Sequence, residues 1–229
     1  MSFTKKTFQD VIFAPVSKIQ KNTLEDNDLT EVMNCLNAVI YIGDFIKEKD
    51  PETIKFWNEI ISDSISVIFS STSGFYRLSI SGLRSILETA CHAFYFYDHK
   101  IELSLFINEN FQADTVSHLV NEKHLFTTKY IKTFNKDIIQ MQLAEDSVAT
   151  HLKKTYSSLC DVVHGKYRAL TREEELKIEY DKTLYKKFES LYLQTMGAIV
   201  IMFYLRFNDK STHLNLGFLI NTTSNILKK

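Results

Sequence analysis

Five polar residues, Arg77, Ser81, Arg84, Glu88 and His92, recur at steps of 4, 3, 4 and 4 within an otherwise apolar stretch, 75–97. In an α-helix those steps put all five on one face. The other faces carry Phe75, Leu78, Ile80, Leu83, Ile86, Leu87, Phe94, Tyr95 and Phe96, which predicts a helix in the middle of the fold. A charge enclosed without a partner is costly. The spacing pairs Arg84 with Glu88 one turn on, and leaves Arg77 and His92 to find partners elsewhere. Such a stripe is either an ion-paired seam that fixes helix register or the wall of a site.

A second group lies in 156–168, Tyr-Ser-Ser-Leu-Cys-Asp-Val-Val-His-Gly-Lys-Tyr-Arg. His164 falls in the last turn of a predicted helix, where the helix dipole favours its protonated form. Asp161 is three residues back, within reach of the imidazole, and Tyr156, Ser157 and Cys160 are close behind. Lys166, Arg168 and Arg172 follow as a basic cluster able to hold a phosphate. The plainer reading makes His164 a dipole partner and the 77–92 stripe a structural seam.

Other chemistries find less in the chain. The histidine pairs His92/His99 and His118/His124 lack the one-turn spacing of metal ligands. No phosphate-binding glycine loop, dinucleotide fingerprint or nucleophile elbow occurs. Cys160 sits on an apolar helix face, where packing explains it better than nucleophilic attack. The expectation is a protein without metal or cofactor.

The elements that must position these groups are helical. Two prolines and six glycines leave few breakers, while 11 Tyr and 17 Phe supply bulky core. The first 25 or so residues read as an irregular arm or short helix around Pro15. Asp28 with Glu31 forms a capping-box pattern. It opens a helix to about Lys49, with Val32, Cys35, Leu36, Val39, Ile40 and Phe45 inward. Asp50-Pro51-Glu52 restarts the chain for a helix carrying Ile54, Trp57, Ile60, Ile61, Ile65 and Ile68, with a possible break at Ser70 to Gly74. Asp114 caps a helix to His124, 127–140 holds another, and Asp146 caps one to about Val163, ended by Gly165. The segment 167–180 admits a short two-strand element. A long helix, Asp181 to Phe207, becomes almost wholly apolar in its second half, and 213–227 forms a final short helix. This predicts an all-α, single-domain bundle of about 6–8 helices over 1–229.

With 27 basic and 28 acidic residues in 229, no global field draws the chain to nucleic acid or to a membrane surface. Three widely spaced cysteines argue for reduced thiols and a cytosolic setting. The start lacks a secretory core, and the uncharged run Met196 to Leu205 is about half the ~20 residues of a membrane span. The expectation is a soluble, cytoplasmic protein.

Leu83-Arg84-Ser85-Ile86-Leu87-Glu88 followed by the Tyr156 to Gly165 motif, Tyr-x-x-Leu-x-x-x-Val-His-Gly, resembles the HEPN-like superfamily over roughly 70–170. It is similar to bacterial helical proteins of uncharacterised or abortive-infection type. The resemblance implies an all-α bundle, commonly a homodimer, that binds RNA or cleaves it without a metal in bacterial defence or toxin systems. A protein partner from the same operon fits that setting. Ribonuclease members use an Arg-polar-x-x-x-His motif; here Leu159 and Cys160 stand at the first two positions. The guanidinium would then come from Arg84 or Arg168. On this reading His164 and Arg84 are catalytic, Glu88 orients Arg84, and Tyr156 and Asp161 frame the histidine. Arg77, Lys166 and Arg168 would contact phosphate. The alternative is a non-enzymatic interaction or homo-oligomerisation protein with a structural polar seam. A third is an anionic small-molecule pocket between the two motif helices.

Overall fold

The computed structural model describes residues 4–108, 114–136, 144–164 and 178–207, and among them the chain is all helix, turn and loop. Of the irregular arm and the short helix expected before residue 26, residues 5–26 take the helical form, and a longer one. They form α1 (Lys5–Phe8), a π-helical turn (Gln9–Phe13) and α2 (Ala14–Asp26). Pro15 directly follows the π-helical turn within the continuous helical run 5–26, and its missing N–H interrupts the backbone ladder there. Helix α2 is held by few but specific bonds. Gln20 Nε2 donates to Ser73 Oγ (3.0 Å), and Asn27 Nδ2 donates to the Tyr180 hydroxyl (3.0 Å).

The body follows as α3 (Thr30–Lys49), α4 (Ile54–Thr72), α5 (Tyr76–Asp98), α9 (Ser147–Val163) and α10 (Lys182–Phe207), with α6 (Lys100–Ile107), α7 (Val116–Asn121) and α8 (Thr128–Phe134) packed at one end. Asp28 caps α3 by accepting from Thr30 N and Oγ1 (2.9 and 2.6 Å), so its partner is two residues on and not Glu31. Helix α3 faces the core with Val32, Cys35, Ala38, Val39, Ile42 and Ile46, while Ile40, expected inside, is exposed. At the restart, Asp50 is only 6% exposed and accepts from Lys100 Nζ (2.6 Å) and Thr53 Oγ1 (2.8 Å). It ties the α3–α4 corner to α6. In α4, Ile65 is exposed and Ser64 and Val67 take the inner positions.

The chain breaks between α4 and α5 at Gly74, whose φ of 85° suits glycine alone. A Cβ there would stand 3.1 Å from the Glu179 carbonyl oxygen, so the hairpin also needs glycine's small size. Helix α5 is the central helix, touching α4, α9, α10, α6 and α7. Leu78, expected in the core, is 63% exposed on it.

Asp146 was expected to cap α9. It adopts a left-handed conformation and bonds across to α8 instead. Its Oδ1 accepts from Thr128 N and its own N donates to Thr128 Oγ1, both at 2.7 Å. Asp181 Oδ1 accepts from Leu184 N (3.0 Å) and starts α10. That helix is long and apolar enough to span a membrane by composition, but its residues from Thr195 to Phe203 are buried in the bundle. The anticipated strand pair falls mostly on 165–177 and the final helix on 208–229, both outside the described residues. No strand occurs among the described residues.

Candidate functional site

Helices α5 and α10 run parallel. Asp181 N donates to the Tyr76 hydroxyl at one end (3.0 Å), and Arg206 bonds Asp98 at the other (2.6 Å). Helix α9 runs antiparallel to both, with His151 opposite Gln194 and Ser158 sharing a groove with Ser190. The C-terminal end of α9, bearing His164, therefore lies toward the Arg77 end of α5.

Midway along the α5–α9 seam, Arg84, Glu88 and Tyr156 come together. Glu88 Oε1 accepts from Arg84 Nε (3.2 Å), Arg84 Nη2 (3.0 Å) and the Tyr156 hydroxyl (2.8 Å). Arg84 Nη2 also donates to Tyr156 Oη (3.3 Å), and the guanidinium lies 5.5 Å from the Tyr156 ring centre. Burial works against charge on Arg84, but the Glu88 and Tyr156 bonds outweigh it and raise its pKa further. Burial and the neighbouring Glu88 push the Tyr156 phenol up, so it stays a neutral donor. All of these bonds use one carboxylate oxygen and one side of the guanidinium. Among the described residues Glu88 Oε2 and Arg84 Nη1 have no partner, and neither atom is sealed from solvent. The triad thus keeps a donor and an acceptor available to a ligand.

His164 caps the C-terminus of α9 and is exposed. It stands eight residues beyond Tyr156, about 12 Å along the helix and about 80° around it. Its imidazole makes no hydrogen bond or ion pair to Arg84 or to Asp161 among the described residues. Asp161 is half-buried and engaged elsewhere. Arg77 is exposed and without a hydrogen bond or ion pair among the described residues, two turns before Arg84 on nearly the same face. Lys166 and Arg168 lie outside the described residues. His92 leaves the stripe to bond the Asp114 carbonyl through Nε2 (2.6 Å). Ser81 is half-buried on the stripe.

The seam therefore joins three of the residues singled out from sequence, and at its end His164 and Arg77 have no hydrogen bond or ion pair among the described residues. No group of three His, Cys, Asp or Glu side chains able to hold a metal occurs among the described residues. The pairing of Tyr156 with Glu88, 68 positions apart, had one readable signal: a tyrosine on the inner face of α9 must find a partner for its hydroxyl. A second grouping, Arg206 with Asp98 and Tyr130, went unread although Arg206 is the one charge in an apolar run. Comparison with known proteins gives no match, whether with family models, curated proteins or solved structures.

Proposed function

We propose that the chain is an RNA-binding protein of the HEPN-like kind that cleaves RNA without a metal ion, acting in the cytoplasm in bacterial defence. One observation carries this reading. A guanidinium is fixed by Glu88 and Tyr156 with Nη1 unbonded, on the same seam as an exposed histidine that has no partner, both among the described residues. The offset of about 12 Å between Tyr156 and His164 leaves space for a ribose and its phosphate between the two groups. Arg84, with Arg77 at the His164 end, would hold phosphate oxygens and stabilise the charge that builds on them. His164 would take the proton of a ribose 2′-hydroxyl. That oxygen attacks the adjacent phosphorus, the bond to the 5′-oxygen breaks as that oxygen takes a proton from water, and a 2′,3′-cyclic phosphate remains. Glu88 positions Arg84 through Oε1.

A second reading rests on the same bonds. Three donors converging on Glu88 Oε1 also make a good register lock between α5 and α9. The function would then be partner binding or self-association. Incubating purified protein with total RNA and a chelator separates the two, comparing wild type with His164→Ala and Arg84→Ala. Chelator-resistant cleavage lost in both variants, with folding intact, supports the enzyme. Absence of cleavage together with a large fall in melting temperature for Arg84→Ala supports the lock.

A further inference from the structure

We propose that the groove between α9 and α10 binds a phosphorylated small molecule of nucleotide size. Ser158 stands about 160° round the helix from Tyr156, so this groove occupies a different flank of α9 from the seam and does not depend on the function proposed there. Its volume is about 400 Å³, within the range of ligand sites. His151, Lys154, Thr155 and Ser158 line it from α9, Ser190 and Gln194 from α10, and Leu193 gives an apolar surface for a ring.

Several of these groups have bonding capacity left over. Lys154 is exposed and has no ion pair among the described residues. Ser190 Oγ accepts from Gln194 Nε2 (3.2 Å), which leaves its hydroxyl proton free to donate. His151 Nε2 lies 3.3 Å from Thr155 Oγ1 and 3.4 Å from the Gln194 carbonyl oxygen. Its Nδ1 has no partner among the described residues and is not sealed from solvent. With Nε2–H turned to the carbonyl, a second proton on the ring would sit on Nδ1.

The charge lining the groove is that of Lys154. Burial, aided by the nearby Lys154, holds the His151 pKa below its ordinary value. From the α10 side, Glu189 next to Ser190 is ion-paired to Lys186 at 2.7 Å. From the α9 side, Lys153 turns away to Asn121 (3.2 Å). A bound phosphate would meet Lys154 and Ser190, offset the lysine's field and allow His151 to take up a proton. Binding is then stronger at lower pH.

The test is calorimetric titration of the full chain with AMP, inorganic phosphate and adenosine at about pH 6 and about pH 8. AMP should bind more tightly than phosphate, and adenosine should not bind. Lys154→Gln should weaken AMP roughly tenfold, Ser190→Ala by less, and His151→Gln should leave only the pH dependence that comes from the phosphate's own second ionisation at about pH 6. RNA cleavage should be unchanged in Lys154→Gln, an exposed substitution that leaves the fold intact. The proposal is overturned if neither AMP nor phosphate binds at millimolar concentration, or if Lys154→Gln binds AMP as wild type does.

Discussion

Two places in this bundle carry the same three chemical groups, an arginine, a carboxylate and a tyrosine, joined across helices. At the end of the bundle Arg206 of α10 meets Asp98 of α5 and Tyr130 of α8. Arg206 Nη2 donates to Asp98 Oδ1 (2.6 Å), Nε contacts both oxygens (3.2 Å), and the Tyr130 hydroxyl donates to Oδ2 (2.8 Å). The guanidinium lies 4.8–5.4 Å from the ring centres of Tyr97, Phe134 and Phe207. Exposure does not separate the two sites. Arg206 and Asp98 side chains are each 22% exposed, against 24% and 28% for Arg84 and Glu88. Bond accounting does separate them. Both oxygens of Asp98 are spent and three rings cover its arginine, whereas Glu88 uses one oxygen and Arg84 has one ring. Nη1 of Arg206, like that of Arg84, makes no hydrogen bond among the described residues, so the difference lies in the carboxylates and the rings: Asp98 spends both oxygens under a ring-covered arginine, while Glu88 keeps one to spare.

Breaking the Asp98 site should have the largest effect on stability. Arg206→Ala removes the partner of Asp98 and empties a ring-lined space, and should cost about 3 kcal/mol. In a chain of this size that is a fall of roughly 6–12 °C in melting temperature. Arg84→Ala should cost only about 1 kcal/mol, because solvent takes over its bonds. Calorimetric melting of both variants sharpens the contrast, and equal losses would erase it.

The tyrosines offer a smaller effect with a fixed sign. Burial first, then Asp98, raises the Tyr130 phenol pKa, and burial then Glu88 raises that of Tyr156. A folded-state pKa above the unfolded value of about 10 means stability is fully present below that pH. It falls as pH rises toward the folded values. Urea titrations above pH 10 should show this decline shallower in Tyr130→Phe and Tyr156→Phe than in wild type. A slope unchanged in both variants would contradict the assignment.

The smallest effect concerns thiols. Burial pushes Cys35 and Cys91 up to about 12, while Cys160 is half-buried one turn from Tyr156. Iodoacetamide on the native protein should label Cys160 first, and mass spectrometry reads the site. Labelling of Cys91 ahead of Cys160 would mean that the seam is not the more open region.

Periodicity made the long helices legible. In α9 the apolar spacing matches the buried face, in α5 it does so except at Leu78, and α10 is legible by its apolar second half; proline after Asp50 and glycine at 74 mark two of the breaks. The extent of the N-terminal helix is faint in the sequence because it buries little, chiefly Ile19 and Thr23, and Pro15 looks like a breaker. The Asp146 cap was misjudged because the sequence shows an acid before a helix but not a second helix whose first N–H is nearer. Leu78 and Ile65 show the limit of composition, since an apolar residue at helical spacing can still face solvent. Arg84 with Glu88 was readable because one-turn pairing is local. The partners Tyr156, Asp98 and Tyr130 come from far along the chain, and only packing selects them.

Cleavage of a DNA oligonucleotide containing a single ribonucleotide, in chelator, tests the seam most directly. Wild type should cut at the ribose and leave a 2′,3′-cyclic phosphate end. His164→Ala should cut at least ~100-fold more slowly with an unchanged melting temperature. An intact oligonucleotide with wild type, or equal cutting by wild type and His164→Ala, would contradict the account.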